Sequence, residues 1–320
     1  MFEVLETART VAEKSRLVRI NQEALHLFAR DLLEKGCEIP PWDDLHHFCD
    51  GGQETVAYFL VLDSINFCFW PPKGKDRWEI DYGSGRLSGY HALAVSLKSA
   101  VKSGTPITRA NFLAKLSTIE LKDILGGYGE LQLLERRREI LNEVGRCLIH
   151  EYDGQAHRLV ESAKGSAATL VRLLSEKISS FRDVADYQGT KTLFYKRAQI
   201  LTADLFGAFQ GSKWGNFQDI NELTAFADYK VPQVLRHLGI LSYKSSLSKR
   251  VDRMITLQAG SGEEVEIRAN TIWAVELIRR ELARMGKSLR AFEVDWMLWN
   301  LGQQEAFKSK PYHRTVTIFY

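Results

Sequence analysis

The chain has 320 residues, 45% of them apolar and 26% charged, the balance of an ordinary globular protein, which excludes disordered, collagen-like and membrane-embedded classes. Lys and Arg outnumber Asp and Glu by 43 to 40, and a net charge of +3 gives little counterion-release affinity for duplex nucleic acid. Cys37, Cys49, Cys68 and Cys147 form no CxxC pair and no disulfide framework, so a reduced, cytoplasmic chain is expected. The start of the chain has no apolar signal core. The most apolar stretch, 56–70, is interrupted by Asp63 and Asn66 and is too short to span a bilayer.

Residues 7–35 place Val11, Val18, Leu25, Phe28 and Leu32 at helical spacings, predicting one helix closed by Gly36. Residues 54–65 are apolar and fit a buried helix or strand equally. Phe67–Trp70 and Trp78–Tyr82 flank Pro71-Pro72-Lys73-Gly74-Lys75, which predicts a hairpin. Ser88 is placed to cap a helix reaching Lys102, and Thr108 and Ser117 read as further N-caps. A charged helix is predicted over 131–151, with Arg136-Arg137-Arg138 as a solvated face. More helices are predicted at 166–179, 191–209 and 231–239, from Asn270 to Met285 and from Ser288 to Asn300. In the last, Leu289, Phe292, Trp296 and Trp299 make one apolar stripe. The fold class is mainly α with a small β-hairpin or sheet.

Several fragments imitate chemical motifs and lack their required parts. Asp76 follows Gly74-Lys75 where a phosphate-binding loop needs Ser or Thr, and His150-Glu151 has no second histidine before His157. His46, His47 and Cys49 have no evident fourth zinc ligand, and no GxSxG elbow exists. Neither a metal nor a cofactor is expected.

Three segments carry more polarity or aromaticity than a plain core requires. Asn66-Phe67-Cys68-Phe69-Trp70 offers rings for stacking and an amide for a polar edge, or else a hairpin packed into the core. In Lys196-Arg197-Ala198-Gln199, Phe194, Ala198, Leu201 and Leu205 define a core stripe, while Lys196 projects opposite, as a pocket lip or a surface lysine. In Phe226-Ala227-Asp228-Tyr229-Lys230-Val231-Pro232-Gln233, Pro232 suits the first helical position with Val231 as cap. Asp228 then lies just ahead of the helix, where the dipole favours its ionised form; it reads as a turn residue or as a carboxylate facing a developing cation.

Together these segments resemble the queuosine salvage proteins, which are queuosine 5′-phosphate N-glycosylases. The likeness extends through Glu266-Ile267-Arg268, Asp295 to Trp299 and the aromatic terminus at Tyr320, and so covers nearly the whole chain; Lys230 stands where Arg is expected in many members. The resemblance implies a helical fold related to DNA glycosylases. One compact unit of two intimate lobes is expected, about 1–125 with 265–320, and 126–264 carrying the cleft. It also implies the reaction, hydrolysis of the N-glycosidic bond of queuosine 5′-monophosphate to release queuine for reuse in transfer RNA.

Carried over, Asp228 is the expected electrostatic stabiliser, nucleophile or base, and Lys196 the assisting cation, with Lys196 and Arg197 available to the 5′-phosphate. Phe67, Phe69 and Trp70 are the stacking candidates and Asn66 the reader of a polar edge; His46, Tyr229 and Arg236 are candidates for the cyclopentenediol or phosphate. The expected partner is this small nucleotide alone, bound by a monomer without membrane or stable duplex contact. A DNA repair glycosylase is the first alternative, but Gln188-Gly189-Thr190-Lys191 has only one of the glycines that let amides approach DNA phosphates. A non-catalytic nucleotide- or RNA-binding module is the second.

Overall fold

The computed structural model describes residues 3–320. Long apolar and amphipathic runs fold as helices: α1 (Glu3–Lys14), α2 (Gln22–Glu34), α3 (Gln53–Ser64), α4 (Gly89–Lys102), α5 (Ala110–Leu113), α6 (Thr118–Leu125) and α7 (Leu134–Glu151). They continue with α8 (Ala156–Ser162), α9 (Ala167–Lys177), α10 (Lys196–Ala208), α11 (Lys230–His237), α12 (Ser245–Asp252), α13 (Gly262–Arg284) and α14 (Ala291–Leu301). Three antiparallel ribbons join β1 (Val18–Ile20) to β6 (Leu241–Tyr243), β2 (Glu79–Tyr82) to β3 (Gly85–Ser88), and β4 (Val184–Tyr187) to β5 (Thr190–Leu193). The mainly α class read from the sequence is what forms. No described helix is long and apolar enough to cross a membrane.

Several boundaries move, each for a tertiary reason. The single helix expected over 7–35 is two helices with β1 between them. Glu266 on α13 accepts the backbone N–H groups of Arg16, Leu17 and Val18 at 3.0, 2.7 and 3.0 Å, which diverts the chain from helix. Asn21 then caps α2 by accepting from Glu23 and Ala24, and Gly36 closes it at φ +92°. The run 54–65 resolves as the buried helix α3. Residues 67–70 do not pair with 78–82; Glu79–Tyr82 pairs instead with Gly85–Ser88 across a two-residue turn. Phe67–Trp70 threads the core, and Cys68, at φ 46°, donates its N–H to the Tyr320 carbonyl at 2.9 Å.

Ser117 makes a full capping box with Glu120, whereas Thr108 spends its hydroxyl on Glu54 and Arg109 stands at the cap of α5. The segment 191–209 is β5 followed by α10, and α13 begins at the Ser261 cap, well ahead of Asn270. The α14 stripe is wider than expected, since Ala291 through Asp295 are all buried with Met297 and Leu298. The arginine triplet is not a solvated face throughout. Arg136 and Arg138 pair with Glu139 and Glu135, but Arg137 is fully buried. It donates to the carbonyls of Gln132 and Phe67, with its guanidinium 4.2 Å from the Phe67 ring centre.

Two apolar cores result. The larger is built on α1, α3, α4 and α7–α10, and the smaller on α2, α11, α12 and parts of α13 and α14. Helix α13 serves both, sending Val265, Ala269 and Ile272 into the first and Ile267, Ala274 and Ile278 into the second. The chain passes between the cores at 225–231, so polar groups there sit at a seam. Arg137→Ala should lose about 3 kcal/mol or more in urea unfolding, because buried carbonyls lose their donors, while Arg136→Ala should stay within about 0.5 kcal/mol. Equal effects would return the triplet to a solvated face.

Candidate active site

Tyr195 adopts the left-handed conformation (φ 49°), held by the Asp183 carbonyl, which accepts the N–H of Phe194 and Tyr195 at 3.0 and 3.2 Å. That turn starts α10 with Lys196 facing inward. Lys196 is only 5% exposed, and its Nζ donates to the Asn66 carbonyl at 3.1 Å. Burial lowers its pKa to about 8, opposed by Asp228, Asp63 and Asp295.

Asp228 sits on the facing loop. Its Oδ1 accepts the N–H groups of Lys230 and Val231 at 2.8 and 2.9 Å, so its own side chain caps α11. Helix α11 starts two residues earlier than the sequence suggested, with Tyr229 at the cap and Pro232 in the third helical position. The loop is clamped on both sides. Asp295 Oδ1 accepts the Phe226 N–H at 2.9 Å, and Arg268 Nε donates to the Ala227 carbonyl at 2.9 Å. Part of the Asp228 surface stays open, but protein encloses the carboxyl closely enough for burial to raise its pKa; Lys196 and the two backbone donors pull it back down.

Three further aspartates surround the lysine. Asp63 and Asp295 are pushed well above the ordinary carboxylate range, by burial first and then by Asp204 and Asp228 respectively. Burial pushes Asp204 up to about 7, against hydrogen bonds from Tyr90 and Asp63 and the charge of Lys196. The Tyr90 hydroxyl lies 3.2 Å from Asp204 Oδ2 and 2.8 Å from His47 Nε2. His47 Nδ1 faces the Asp43 carbonyl at 2.7 Å and so carries the ring proton, and burial lowers the His47 pKa to about 4. The Tyr90 hydroxyl therefore stands between the His47 imidazole and the Asp204 carboxyl, which it meets as a donor.

Half-buried rings continue the strip outward. Trp299, one turn beyond Asp295 on α14, lies 6.0 Å from Tyr90 and 5.4 Å from His91, and His46 stacks on His91 at 4.6 Å. Trp42 stacks on His47 at 5.2 Å and packs down on Gly207, where any Cβ would meet the indole at 2.2 Å. Asp43, His46 and His91 bring ligand atoms within 4.8 Å of one another, the grouping among the described residues that could hold a metal ion. Asp43 Oδ2 already accepts from His46 Nδ1 at 2.7 Å. The zinc combination weighed from the sequence does not assemble, because His47 turns to Tyr90 and the Cys49 thiol to the Ala208 carbonyl.

Of the residues singled out in the sequence, Lys196, Asp228 and Asn66 meet in one place, with Tyr229 beside them as the α11 cap. His46 belongs to the outer histidine strip. Arg197 is buried and donates to the Ser64 and Ser180 carbonyls between the rings of Phe67 and Phe181, so its guanidinium is committed to the core. Phe67 is fully buried, with the guanidiniums of Arg137 and Arg197 at 4.2 and 5.3 Å from its ring centre. Phe69 and Trp70 are nearly buried, Trp70 under Arg314 at 5.4 Å. Arg236 pairs with Asp252 at 2.8 Å over the Tyr243 ring, in the smaller core.

The family profile described as "Queuosine salvage protein" matches residues 45–320. The chain belongs to the queuosine salvage protein family. It is 47% identical over 317 residues to the queuosine 5′-phosphate N-glycosylase/hydrolase of Sphaerobacter thermophilus, a match spanning 99% of this chain and 97% of that protein. Proteins of the same name from Mus musculus and Dictyostelium discoideum are 36% and 37% identical, spanning 98% and 99% of this chain and 98% of each relative.

For this queuosine salvage family member, sequence reasoning assigned no site role to Asp63, Arg268 and Asp295, although their segments stood out, and none to Asp204, Tyr90 and Asp183. Asp63, Asp204 and Asp295 left a usable signal, a carboxylate set among apolar neighbours in a helix, which burial tolerates only when it is paired or protonated. Arg268 and Asp183 form a two-pronged ion pair at 2.9 and 2.6 Å, 85 residues apart, a partnership that no local pattern announces. Arg268→Gln should cost about 3–5 kcal/mol in denaturant unfolding by leaving Asp183 buried and unpaired. A loss under about 1 kcal/mol would show that the pair does not organise the site.

Proposed function

We propose that this protein hydrolyses the N-glycosidic bond of queuosine 5′-monophosphate and releases queuine, acting as a monomer on a small nucleotide. The observation that carries this reading is Asp228 itself, a carboxylate fixed by two backbone donors and faced by a buried lysine. The name borne by relatives along the whole chain agrees with it.

As the bond between the base nitrogen and the anomeric carbon breaks, positive charge develops on that carbon and the ring oxygen. Asp228, whose ionised form burial disfavours and Lys196 and the α11 amides favour, stabilises this charge as a carboxylate and then takes the proton of the attacking water. The departing base is a 7-deazapurine, so its seventh position cannot be protonated to ease departure. Asp63, Asp204 and Asp295, all with raised pKa values, hold protons close to the reacting centre.

Incubation with queuosine 5′-monophosphate should release queuine by mass detection. Asp228→Asn should lower the rate by at least about 10²–10³ while leaving the unfolding midpoint near native. Near-native turnover by this variant would remove Asp228 from the mechanism. Lys196 holds its charge below its pKa of about 8 and loses it above, so kcat/KM should fall on the alkaline side near pH 8. Lys196→Arg should move that limb upward. A native profile flat through pH 9 would contradict the role given to the lysine's charge.

A further inference from the structure

We propose that Lys230 and Arg314 form the subsite for the 5′-phosphate of the substrate, beside Asp228; this rests on the reaction proposed above. The inner cations lie deeper than the corner beside α11. Lys196 is buried and donates to the Asn66 carbonyl, and Arg197 is buried and donates to those of Ser64 and Ser180. Lys230, by contrast, is only partly buried and spends one of its three protons on Gln233 Oε1 at 3.0 Å. A dianionic phosphate therefore needs partners other than the inner two, and Lys230 and the C-terminal strap supply them.

Gln233 on α11 donates to the Lys310 carbonyl at 2.6 Å, and the Arg314 carbonyl accepts from Leu257 at 2.7 Å, which lays residues 310–314 across the α11 entrance. Tyr312 then sits 4.9 Å from Tyr229, with two cations converging on its ring. Lys230 Nζ is 5.7 Å from the ring centre, and the Arg314 guanidinium is 5.9 Å from it while also covering Trp70 at 5.4 Å. Among the described residues, neither Lys230 nor Arg314 has a carboxylate within salt-bridge distance, and Arg314 Nε is buried without any acceptor. Gly302 leaves room for the Lys230 stem, since a Cβ there would come within 2.7 Å of its Cδ.

The charges facing this corner are unbalanced. Burial lowers the Lys230 pKa, Asp228 and Glu305 oppose that, and Lys308 and Arg77 add repulsion. Glu305 is itself engaged by Lys308 at 2.6 Å. Like charges gathered on a partly desolvated surface are unfavourable unless an anion joins them, and a phosphate accepts from several such donors at once. Lying beside Asp228, this cluster would fix the sugar through its 5′ end while keeping the anion away from the developing cation's other face.

The test measures kcat/KM for queuosine 5′-monophosphate and for queuosine in the native protein, Lys230→Met and Arg314→Met, together with inhibition by inorganic phosphate. Each variant should lower the nucleotide-to-nucleoside ratio roughly 10- to 100-fold and weaken phosphate inhibition to match, whereas Lys230→Arg should retain most of the ratio. In the native protein, inorganic phosphate should compete with the nucleotide, a measurement that does not depend on any variant folding. Native turnover with unchanged ratios in both variants, or phosphate inhibition that is absent or not competitive, would overturn the subsite and leave the reaction standing. Release of queuine from neither substrate by the native protein would instead overturn the reaction.

Discussion

Arg268 donates through two nitrogens to Asp183 and through a third to the Ala227 carbonyl, with its guanidinium 3.9 Å from the Phe194 ring and 4.3 Å from the Tyr320 ring. Asp183 in turn accepts the Lys196 N–H at 3.2 Å through the same carboxylate that meets Arg268. One buried ion pair on α13 and the β4 approach therefore binds the start of α10 to the loop carrying Asp228. The lysine and the aspartate lie 32 positions apart in the sequence, and each is placed by contacts to this pair. Gln199 adds a second tie from α10, accepting the Thr224 N–H at 2.8 Å while donating to the Phe194 carbonyl at 2.9 Å. Desolvating a guanidinium and a carboxylate is costly, so such a pair is best understood as fixing geometry rather than adding stability.

The chemistry follows from how charge is distributed around one lysine. Asp63, Asp204, Asp228 and Asp295 all lie close enough to Lys196 to feel its charge, and a single cation cannot hold four carboxylates ionised in a buried site. Asp228 differs from the others in having two backbone donors and partial access to solvent, which makes it the member best able to stay ionised. The same enclosure raises the proton affinity of the remaining three, Asp204 to about 7. Carboxyl groups of different proton affinity thus arise from one arrangement, with Arg197 adding its charge near Asp63 and Lys230 near Asp228.

Much of this could be read in the sequence, and the parts that could not have a common cause. Lys196 and Asp228 were visible because their segments combine polar residues with an apolar setting and resemble a known family. The helical class was visible because apolar spacing persists wherever packing is local. Arg137 was misread because a charge run looks the same whether it meets water or the carbonyls of a buried segment 70 positions earlier. Phe67–Trp70 was misread as a strand because its partners are guanidiniums and the Tyr320 carbonyl rather than a neighbouring strand. Its aromatics were expected to stack on a base, yet Phe67 is fully buried beside two guanidiniums, and the partly exposed rings are those of Tyr90, Trp299 and Trp42. Long-range pairing between polar groups leaves no periodic trace, and that is where sequence reading stopped.

The proposed reaction turns on where the sugar lies relative to one carboxyl group. A crystal structure of Asp228→Asn bound to queuosine 5′-monophosphate measures this directly. The account predicts the anomeric carbon within about 3.5 Å of the side chain at position 228, with the Lys196 ammonium on the same side of the ribose. A ribose bound with its anomeric carbon turned away from that side chain, or a nucleotide seated elsewhere on the protein, would contradict it.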